Sequence, residues 1–149
     1  MSTVHTAIIT AVASEAKPIV GKLKLTRDAH TFAGSPSWSG KVDHHSVILT
    51  TTGMGRDRAA AATESLLDRF TPNGVLIAGL AGALDPQLYV RDIIIPDTLI
   101  DTVTGNRYAH ETEGESKRLI TVDRVISSPA KKQQLHDEYQ AAIVDMESA

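Results

Sequence analysis

Two acids and two glycine-rich turns are the residues of this sequence that could do chemistry. Glu15 and Glu147 each lie just beyond an apolar run, and so do the turns at residues 53–55 and 79–82. A carboxylate can accept a proton from an attacking nucleophile, or hydrogen bonds from two hydroxyl groups. A glycine-rich turn lets a ligand approach the backbone closely. Taken singly, Glu15 is typical of a helix-dipole partner and Glu147 of a solvated acid, so only their joint pattern indicates a site.

Apolar runs rich in β-branched residues predict the strands that must position these groups. Strands are predicted at residues 4–12, 74–80, 92–96, 117–122 and 141–146. The unbroken run at residues 4–12 predicts a central strand covered on both faces, and the strand at 74–80 is also expected to be buried. A hairpin is predicted from residues 31–38 and 42–51, which flank Ser39-Gly40-Lys41. The polar stretch at residues 104–116 predicts a loop.

Three helices are predicted between the strands. They span residues 14–23, with Ser14 as the N-cap, residues 56–70, and residues from 128 or 129 to about 139. The second is the clearest, because it has an apolar face formed by Ala59, Ala62, Leu66, Leu67 and Phe70.

The alternation of strands and helices predicts an α/β fold with a mixed central β-sheet flanked by helices. We expect a single domain over residues 1–149. In such sheets ligands bind at the carboxyl ends of the strands. One cleft is therefore expected to be lined by Glu15, Met54, Met146 and Glu147.

Composition excludes several classes of protein. The 15 basic and 18 acidic side chains give a formal charge of −3 without a block of like charge, so no nucleic-acid partner is expected. The chain has no cysteine, and its six histidines show no metal-ligand spacing. No apolar run approaches the roughly 18 residues of a membrane span. No Lys or Arg precedes the apolar residues 6–13, which favours a cytoplasmic protein over a secreted one.

Four motifs occur together along the chain. They are residues 8–15 (IITAVASE), 52–55 (TGMG), 78–84 (AGLAGAL) with 90–96 (VRDIIIP), and 144–149 (VDMESA). In this order they resemble the nucleoside phosphorylase and nucleosidase superfamily over essentially the whole chain. The methylthioadenosine/S-adenosylhomocysteine nucleosidases and the hopanoid-associated phosphorylases are particularly similar.

The resemblance implies a phosphorylase/hydrolase-like fold and cleavage of the bond between ribose C1′ and the purine of an adenosine-type nucleoside. It implies that Glu15 activates water, while Glu147 binds the ribose hydroxyls and Met146 lies under the sugar. It also implies a nucleophile or phosphate pocket lined by Gly53, Met54, Gly55, Leu80 and Ala81. No cofactor and no metal are implied. A homo-oligomer is expected, with the helix at residues 56–70 as a contributor.

The sequence also departs from the family pattern. Leu80 stands where many relatives have Ser or Thr, and Ile77 where phosphorylases often have Arg, so hydrolysis is expected rather than phosphorolysis. Phosphorolysis stays open because phosphate could still be bound by Arg56, Arg58 or Arg91. The family continues past the Met-Glu motif into a strand with a catalytic Asp and a closing helix, whereas this sequence ends at Ala149. A domain incomplete at its C-terminus is therefore expected, and a non-catalytic nucleoside-binding or assembly module is the third open function.

Overall fold

A computed structural model describes residues 4–111 and 114–149 of the chain. The chain divides into two compact units, Met1–Gly79 and Leu80–Ala149. The described part of the first unit contains β1 (Thr6–Thr10), α1 (Ala13–Leu23), β2 (Thr26–Phe32), β3 (Ser35–Val42), β4 (His45–Thr51), α2 (Arg56–Arg69) and β5 (Gly74–Ile77). The second contains β6 (Gly82–Ala83), β7 (Thr98–Asp101), β8 (Arg107–Ala109), β9 (Arg118–Thr121), α3 (Pro129–Tyr139) and β10 (Ile143–Asp145).

The first unit is a five-stranded mixed sheet in the order β2-β3-β4-β1-β5. Strand β1 is parallel to both β4 and β5, and the other pairs are antiparallel. Successive side chains of β1 point to opposite faces of the sheet. Ala7 accordingly packs in a core cluster with Leu66 of α2, and Ile8 in another with Ala16 of α1. The continuous apolar run predicted a strand covered on both faces, and this prediction is confirmed.

The predicted position of the hairpin turn is wrong. Ser39-Gly40-Lys41 lies inside β3, and the turns fall before and after that strand. At the first turn Ala33 and Gly34 have φ values of 48° and 82°, as expected for a two-residue hairpin loop. Gly40 serves a different purpose, since a Cβ there would lie 3.0 Å from the Leu25 Cδ2 atom. This glycine allows close packing rather than a change of direction.

Two further expectations for the first unit need correction. Helix α1 begins at Ala13 with Val12 as its N-cap, so Ser14 lies in the first turn and is not the cap. The strand predicted at residues 74–80 is shorter, and the exposed fractions of Val75 and Leu76 are 46% and 53%. β5 is the last strand of its sheet, which is why its apolar residues are not covered as a central strand's would be.

The second unit is another five-stranded mixed sheet, in the order β6-β10-β9-β7-β8. Its three central strands are parallel, and the two outer ones are antiparallel to their neighbours. Helix α3 begins after Ser128, whose hydroxyl accepts a hydrogen bond from the Lys131 N–H at 3.4 Å, as predicted for an N-cap. Leu135 of α3 packs on Ile120 in the core of this unit.

The strand predicted at residues 92–96 is absent, and β7 lies just beyond it. Ile94 packs on one face of the second sheet, while Ile93 and Ile95 are exposed. Pro96 has no N–H to donate, and the first ladder contact is the hydrogen bond from the Asp97 N–H to the Lys117 carbonyl at 3.0 Å. The segment therefore crosses over the sheet instead of joining it.

The prediction of a loop over residues 104–116 is wrong at one point. The short strand β8 lies within that stretch and pairs antiparallel with β7, with Tyr108 opposite Leu99. Residues 112 and 113 of the predicted loop lie outside the described residues. A three-residue strand that follows a tight turn shows too little hydrophobic alternation to be recognised from sequence. The α/β class with mixed sheets is confirmed, with the strands distributed over two sheets.

Asp28 predicts a specific pH dependence for the stability of the first unit. Burial acts to raise the pKa of Asp28, but hydrogen bonds from the Ser39 hydroxyl and from His30 outweigh it and hold the pKa below its usual value. A carboxyl with a lowered pKa stabilises the fold above its ordinary pKa of 3.8, and this contribution is lost as the pH falls through the folded-state pKa. We expect Asp28→Asn to lower the free energy of unfolding at pH 7 and to change it less at pH near 3. Urea unfolding at both pH values measures this, and an equal loss at both would contradict the prediction.

Candidate active site

The carboxyl ends of β1 and β4 bring two predicted features of the first unit together. The strands are in register at Thr10 and Thr51, and the chain leaves both ends at the same edge of the sheet. The Gly53 N–H donates to the Ala11 carbonyl at 2.8 Å, and the Ala11 N–H donates to Glu15 Oε2 at 2.9 Å. Gly53 and Glu15 are therefore both hydrogen-bonded to Ala11, as expected when the ends of two parallel strands lie at the same edge of a sheet.

Glu15 is held firmly by the backbone at the start of α1. Its Oε2 atom also accepts a hydrogen bond from the Val12 N–H at 3.1 Å, and its side chain is half-buried. These two donors precede the helix and favour negative charge at its N-terminus. The carboxylate therefore caps the helix through one oxygen, and the same contact fixes the direction of the whole group.

Gly79, in the glycine-rich turn singled out from the sequence, has a contact with Glu15 that the sequence did not predict. A Cβ built on it would lie 3.1 Å from Glu15 Oε1 and 3.3 Å from the Glu15 Cδ atom. The absence of a side chain at position 79 thus leaves room for the second carboxylate oxygen. The glycine-rich run pointed to a close approach of the backbone, but the sequence did not indicate that the approaching group is Glu15.

This contact predicts the effect of adding a methyl group. Gly79→Ala places a Cβ closer to the carboxylate than ordinary packing allows, so Glu15 must shift by a few tenths of an ångström. Because small displacements of a reacting group cost about 10²-fold per ångström, we expect Gly79→Ala to lower kcat/KM about tenfold for the glycosidic-bond cleavage that the family resemblance implies. Gly74→Ala is the matched control, since no atom lies within 4 Å of a Cβ there. Equal activity of the two variants would contradict the role given to position 79.

The backbone of the turn at residues 53–55 requires glycine at its first and last positions. Gly53 and Gly55 have φ values of +85° and +100°, which side chains rarely adopt, and Gly55 is the N-cap of α2. A Cβ on Gly53 would lie 3.2 Å from the Arg58 Nη1 atom, so a guanidinium group lies beside this turn. Arg58 also lines an open cleft of about 350 Å³. Met54 between the two glycines is 63% exposed.

The second unit contains the remaining predicted residues. Met146 packs partly buried against the core of this unit, and Glu147 beside it is half-buried. Glu147 Oε2 accepts a hydrogen bond from the Met146 N–H at 3.1 Å. Leu80 is 82% exposed, and Ala81 is exposed as well. The expectation that residues of both halves of the chain line one cleft stays a prediction.

Asp145 and Thr121 form a hydrogen-bonded cluster beside Glu147. The Thr121 hydroxyl donates to Asp145 Oδ1 at 2.7 Å, and the Ser148 N–H and hydroxyl both donate to Oδ2. Burial raises the pKa of Asp145, although hydrogen bonds from Ser148, Thr121 and the Glu147 N–H act to lower it. Asp145 lies in the motif at residues 144–149, but the sequence pattern indicated no role for it. The Asp-x-x-Ser spacing is the signal that could have indicated this turn.

Neither a metal centre nor a membrane span is found in the part of the chain that the structure describes. Groups of three or more His, Asp or Glu side chains that could hold a metal ion do not occur among residues 4–111 and 114–149. Within the same ranges, the helices are too short and too polar to cross a membrane.

The fold is that of nucleosidase structures. Futalosine hydrolase of Helicobacter pylori superposes with a TM-score of 0.83 at 18% identity, over 99% of this chain and 76% of that one. S-adenosylhomocysteine nucleosidase from Streptococcus pyogenes, in complex with 5-methylthiotubericidin, superposes with a TM-score of 0.83 at 21% identity, over 99% of this chain and 75% of that one. At these identities the likeness concerns the fold alone.

The chain belongs to the phosphorylase superfamily, whose sequence model matches residues 5–120. Curated relatives include 5′-methylthioadenosine/S-adenosylhomocysteine nucleosidases. The one from Tolumonas auensis is 43% identical over 67 residues, which are 45% of this chain and 29% of that protein. The one from Geobacillus thermodenitrificans is 30% identical over 141 residues, or 92% of this chain and 59% of that protein. The chain thus spans at most 59% of the length of either relative.

Proposed function

We propose that the protein hydrolyses the N-glycosidic bond of an adenosine-type purine nucleoside. In this reaction the oxygen of water bonds to C1′ of the ribose as the bond from C1′ to the purine nitrogen breaks. The water gives up one proton, and the departing base takes up one. The relatives' name, 5′-methylthioadenosine/S-adenosylhomocysteine nucleosidase, supports this reaction class. A nucleosidase of this fold from Helicobacter pylori holds 5′-methylthioadenosine in its active site, which supports the choice of substrate.

The observation that carries the proposal is the setting of Glu15. One carboxylate oxygen is bound by two backbone N–H groups, and the whole carboxylate lies close to Gly79, where a Cβ would be 3.1 Å from Oε1 and 3.4 Å from Oε2. A general base must be held within hydrogen-bond reach of the proton it removes. A carboxylate fixed through one oxygen presents the other in a constant direction. Glu15 is therefore assigned to accept a proton from the attacking water.

The ribose is assigned to Glu147 and Met146. A carboxylate accepts hydrogen bonds from two neighbouring hydroxyl groups, such as those at C2′ and C3′ of ribose. Met146 supplies an unbranched, polarizable side chain that adapts to the face of a sugar. Its partial burial in the core of the second unit supports a fixed backbone at this point.

Phosphorolysis is the second candidate, favoured by Arg58. Its guanidinium group lies beside Gly53, in the turn where the family resemblance implies a nucleophile or phosphate pocket. Arginine binds phosphate with two parallel hydrogen bonds, so a phosphate nucleophile at this turn would find a partner. Leu80 and Ile77, which replace the hydroxyl and the arginine of many relatives, support water instead.

The release of adenine from 5′-methylthioadenosine separates these candidates. We expect release in phosphate-free buffer, at a rate that added phosphate leaves unchanged. If adenine release required phosphate and the sugar product carried a phosphate at C1′, the reaction would be phosphorolysis and not hydrolysis. Binding of the nucleoside without release under either condition would indicate a binding module and would contradict both catalytic proposals.

A further inference from the structure

The backbone that carries Glu147 is held by the side chain two residues before it. The Asp145 carboxylate accepts hydrogen bonds from the N–H and the hydroxyl of Ser148, the residue that follows Glu147. Thr121, the register partner of Asp145 on the neighbouring parallel strand β9, donates its hydroxyl to the same carboxylate at 2.7 Å. The Thr121 Oγ1 atom in turn accepts from the Ala149 N–H at 3.1 Å. The turn that follows β10 is thus bonded at residues 148 and 149, directly after Glu147.

Met146 restrains the same turn from its other side. Its side chain packs against the core of the second unit, next to residues of β9 and α3. Glu147 therefore lies between Met146, which packs on the core, and Ser148, which is bonded to the Asp145 carboxylate. With the backbone held in this way, the direction in which the Glu147 side chain leaves the turn is set before a ligand binds.

We propose that Asp145, supported by Thr121, is a positioning residue that orients Glu147 for binding the two hydroxyl groups of a ribose. The inference rests on the proposed function, because it assigns Asp145 a task only through the ribose-binding role of Glu147. Asp145 itself need not touch the nucleoside. A carboxylate that is oriented in advance binds a diol more tightly because the cost of ordering it is already met by the fold.

The neighbouring strand offers a matched control. Asp101 at the end of β7 is also a register partner of Thr121, on its other side. It closes a similar turn, since its carboxylate accepts from the Val103 N–H, the Thr104 N–H and the Thr104 hydroxyl at 2.9, 3.3 and 2.7 Å. Asp101→Ala therefore removes a comparable buried turn carboxylate from the same sheet without breaking a bond to residue 148.

The experiment measures the dissociation constant of 5′-methylthioadenosine by calorimetry, together with thermal unfolding of each variant. Every variant is made in a Glu15→Gln background so that the nucleoside is not consumed during the titration. We expect Glu147→Ala to weaken binding about 30-fold and Asp145→Ala about tenfold, as is typical for lost hydrogen bonds to a charged group. Asp145→Asn keeps an acceptor oxygen and is expected to restore most of the affinity. Thr121→Val, which preserves the shape of a buried residue, is expected to weaken binding about threefold. Asp101→Ala is expected to change it by less than about twofold.

The double variant Asp145→Ala/Glu147→Ala decides whether one residue acts through the other. If Asp145 only orients Glu147, its loss has no further effect once Glu147 is gone, so the double variant should match Glu147→Ala. An additive loss, or an Asp145→Ala protein that binds as the wild type does, would overturn the positioning role while leaving the proposed function intact. Unchanged binding by Glu147→Ala would instead overturn the ribose assignment, and the positioning role with it. If Asp145→Ala fails to fold, the same cycle is run with Thr121→Val.

Discussion

Replacing Glu15 by glutamine is expected to lower kcat/KM for adenine release by about 10²–10⁴-fold, the usual contribution of a positioned general base. Glutamine has the same shape and keeps an acceptor oxygen for the N–H groups of Ala11 and Val12. It cannot accept a proton from water at neutral pH. The measurement is the initial rate of adenine formation from 5′-methylthioadenosine, with the unfolding temperature as a check on the fold.

Glu64→Gln serves as the control for this substitution. Glu64 is an exposed acid of α2, and removing its charge is expected to leave the rate unchanged. If Glu15→Gln retained the wild-type rate while folding normally, Glu15 would be a helix cap only. The general-base role and the helix-cap role of Glu15 both use its hydrogen bonds to the Ala11 and Val12 N–H groups. The rate measurement, rather than the structure, therefore distinguishes the two roles.

Leu66→Ala is expected to lower the free energy of unfolding by about 2–5 kcal/mol, the usual range for truncating a buried leucine. Leu66 lies on α2 with an exposed fraction of 0% and packs in a cluster with Ala7, Phe32 and Ile48. These residues come from three strands of the first sheet, so the cavity would border β1, β2 and β4. Urea or thermal unfolding measures the loss.

The adjacent leucine provides an internal comparison. Leu67 is 45% exposed, so Leu67→Ala is expected to cost less than about 1 kcal/mol. The sequence placed both leucines on one apolar face of the helix, and the structure buries only Leu66 of the two. Similar losses from the two variants would show that α2 presents a different face to the sheet than the one described.

Elements with strong periodicity were predictable from sequence. Helix α2 has apolar residues at helical spacing, and β1 is an unbroken β-branched run, so local pattern and burial agree in both. The failures have a common physical cause. Gly40 was expected to form a turn, but its role is close packing on Leu25, and residues 92–96 are strand-like in composition but cross over a sheet. Composition alone does not distinguish a glycine in a turn from one that allows close packing, or a strand from an apolar segment that crosses over a sheet.

For the candidate site, the sequence predicted which residues lie at strand ends but not which of them contact each other. Glu15 and Gly53 were expected at strand ends, and both are bonded to Ala11 at one edge of the first sheet. The contacts of Gly79 with Glu15 and of Thr121 with Asp145 join residues 64 and 24 positions apart. Such residues come together only because their strands pair, and the pairing of strands cannot be predicted from a single sequence.

Strand β5 has a consequence for how the chain behaves in concentrated solution. Its alternate N–H groups point toward β1, as those of Gly74 and Ala78 show by donating to His5 and Ile9 carbonyls at 3.3 and 2.9 Å. The intervening N–H groups point away from β1, along the outer edge of the sheet, and the strand carries neither lysine nor proline. An uncharged edge of this kind is a template for adding strands from other molecules. In concentrated solution, strands of other copies of the chain are therefore expected to add at this four-residue edge, GVLI.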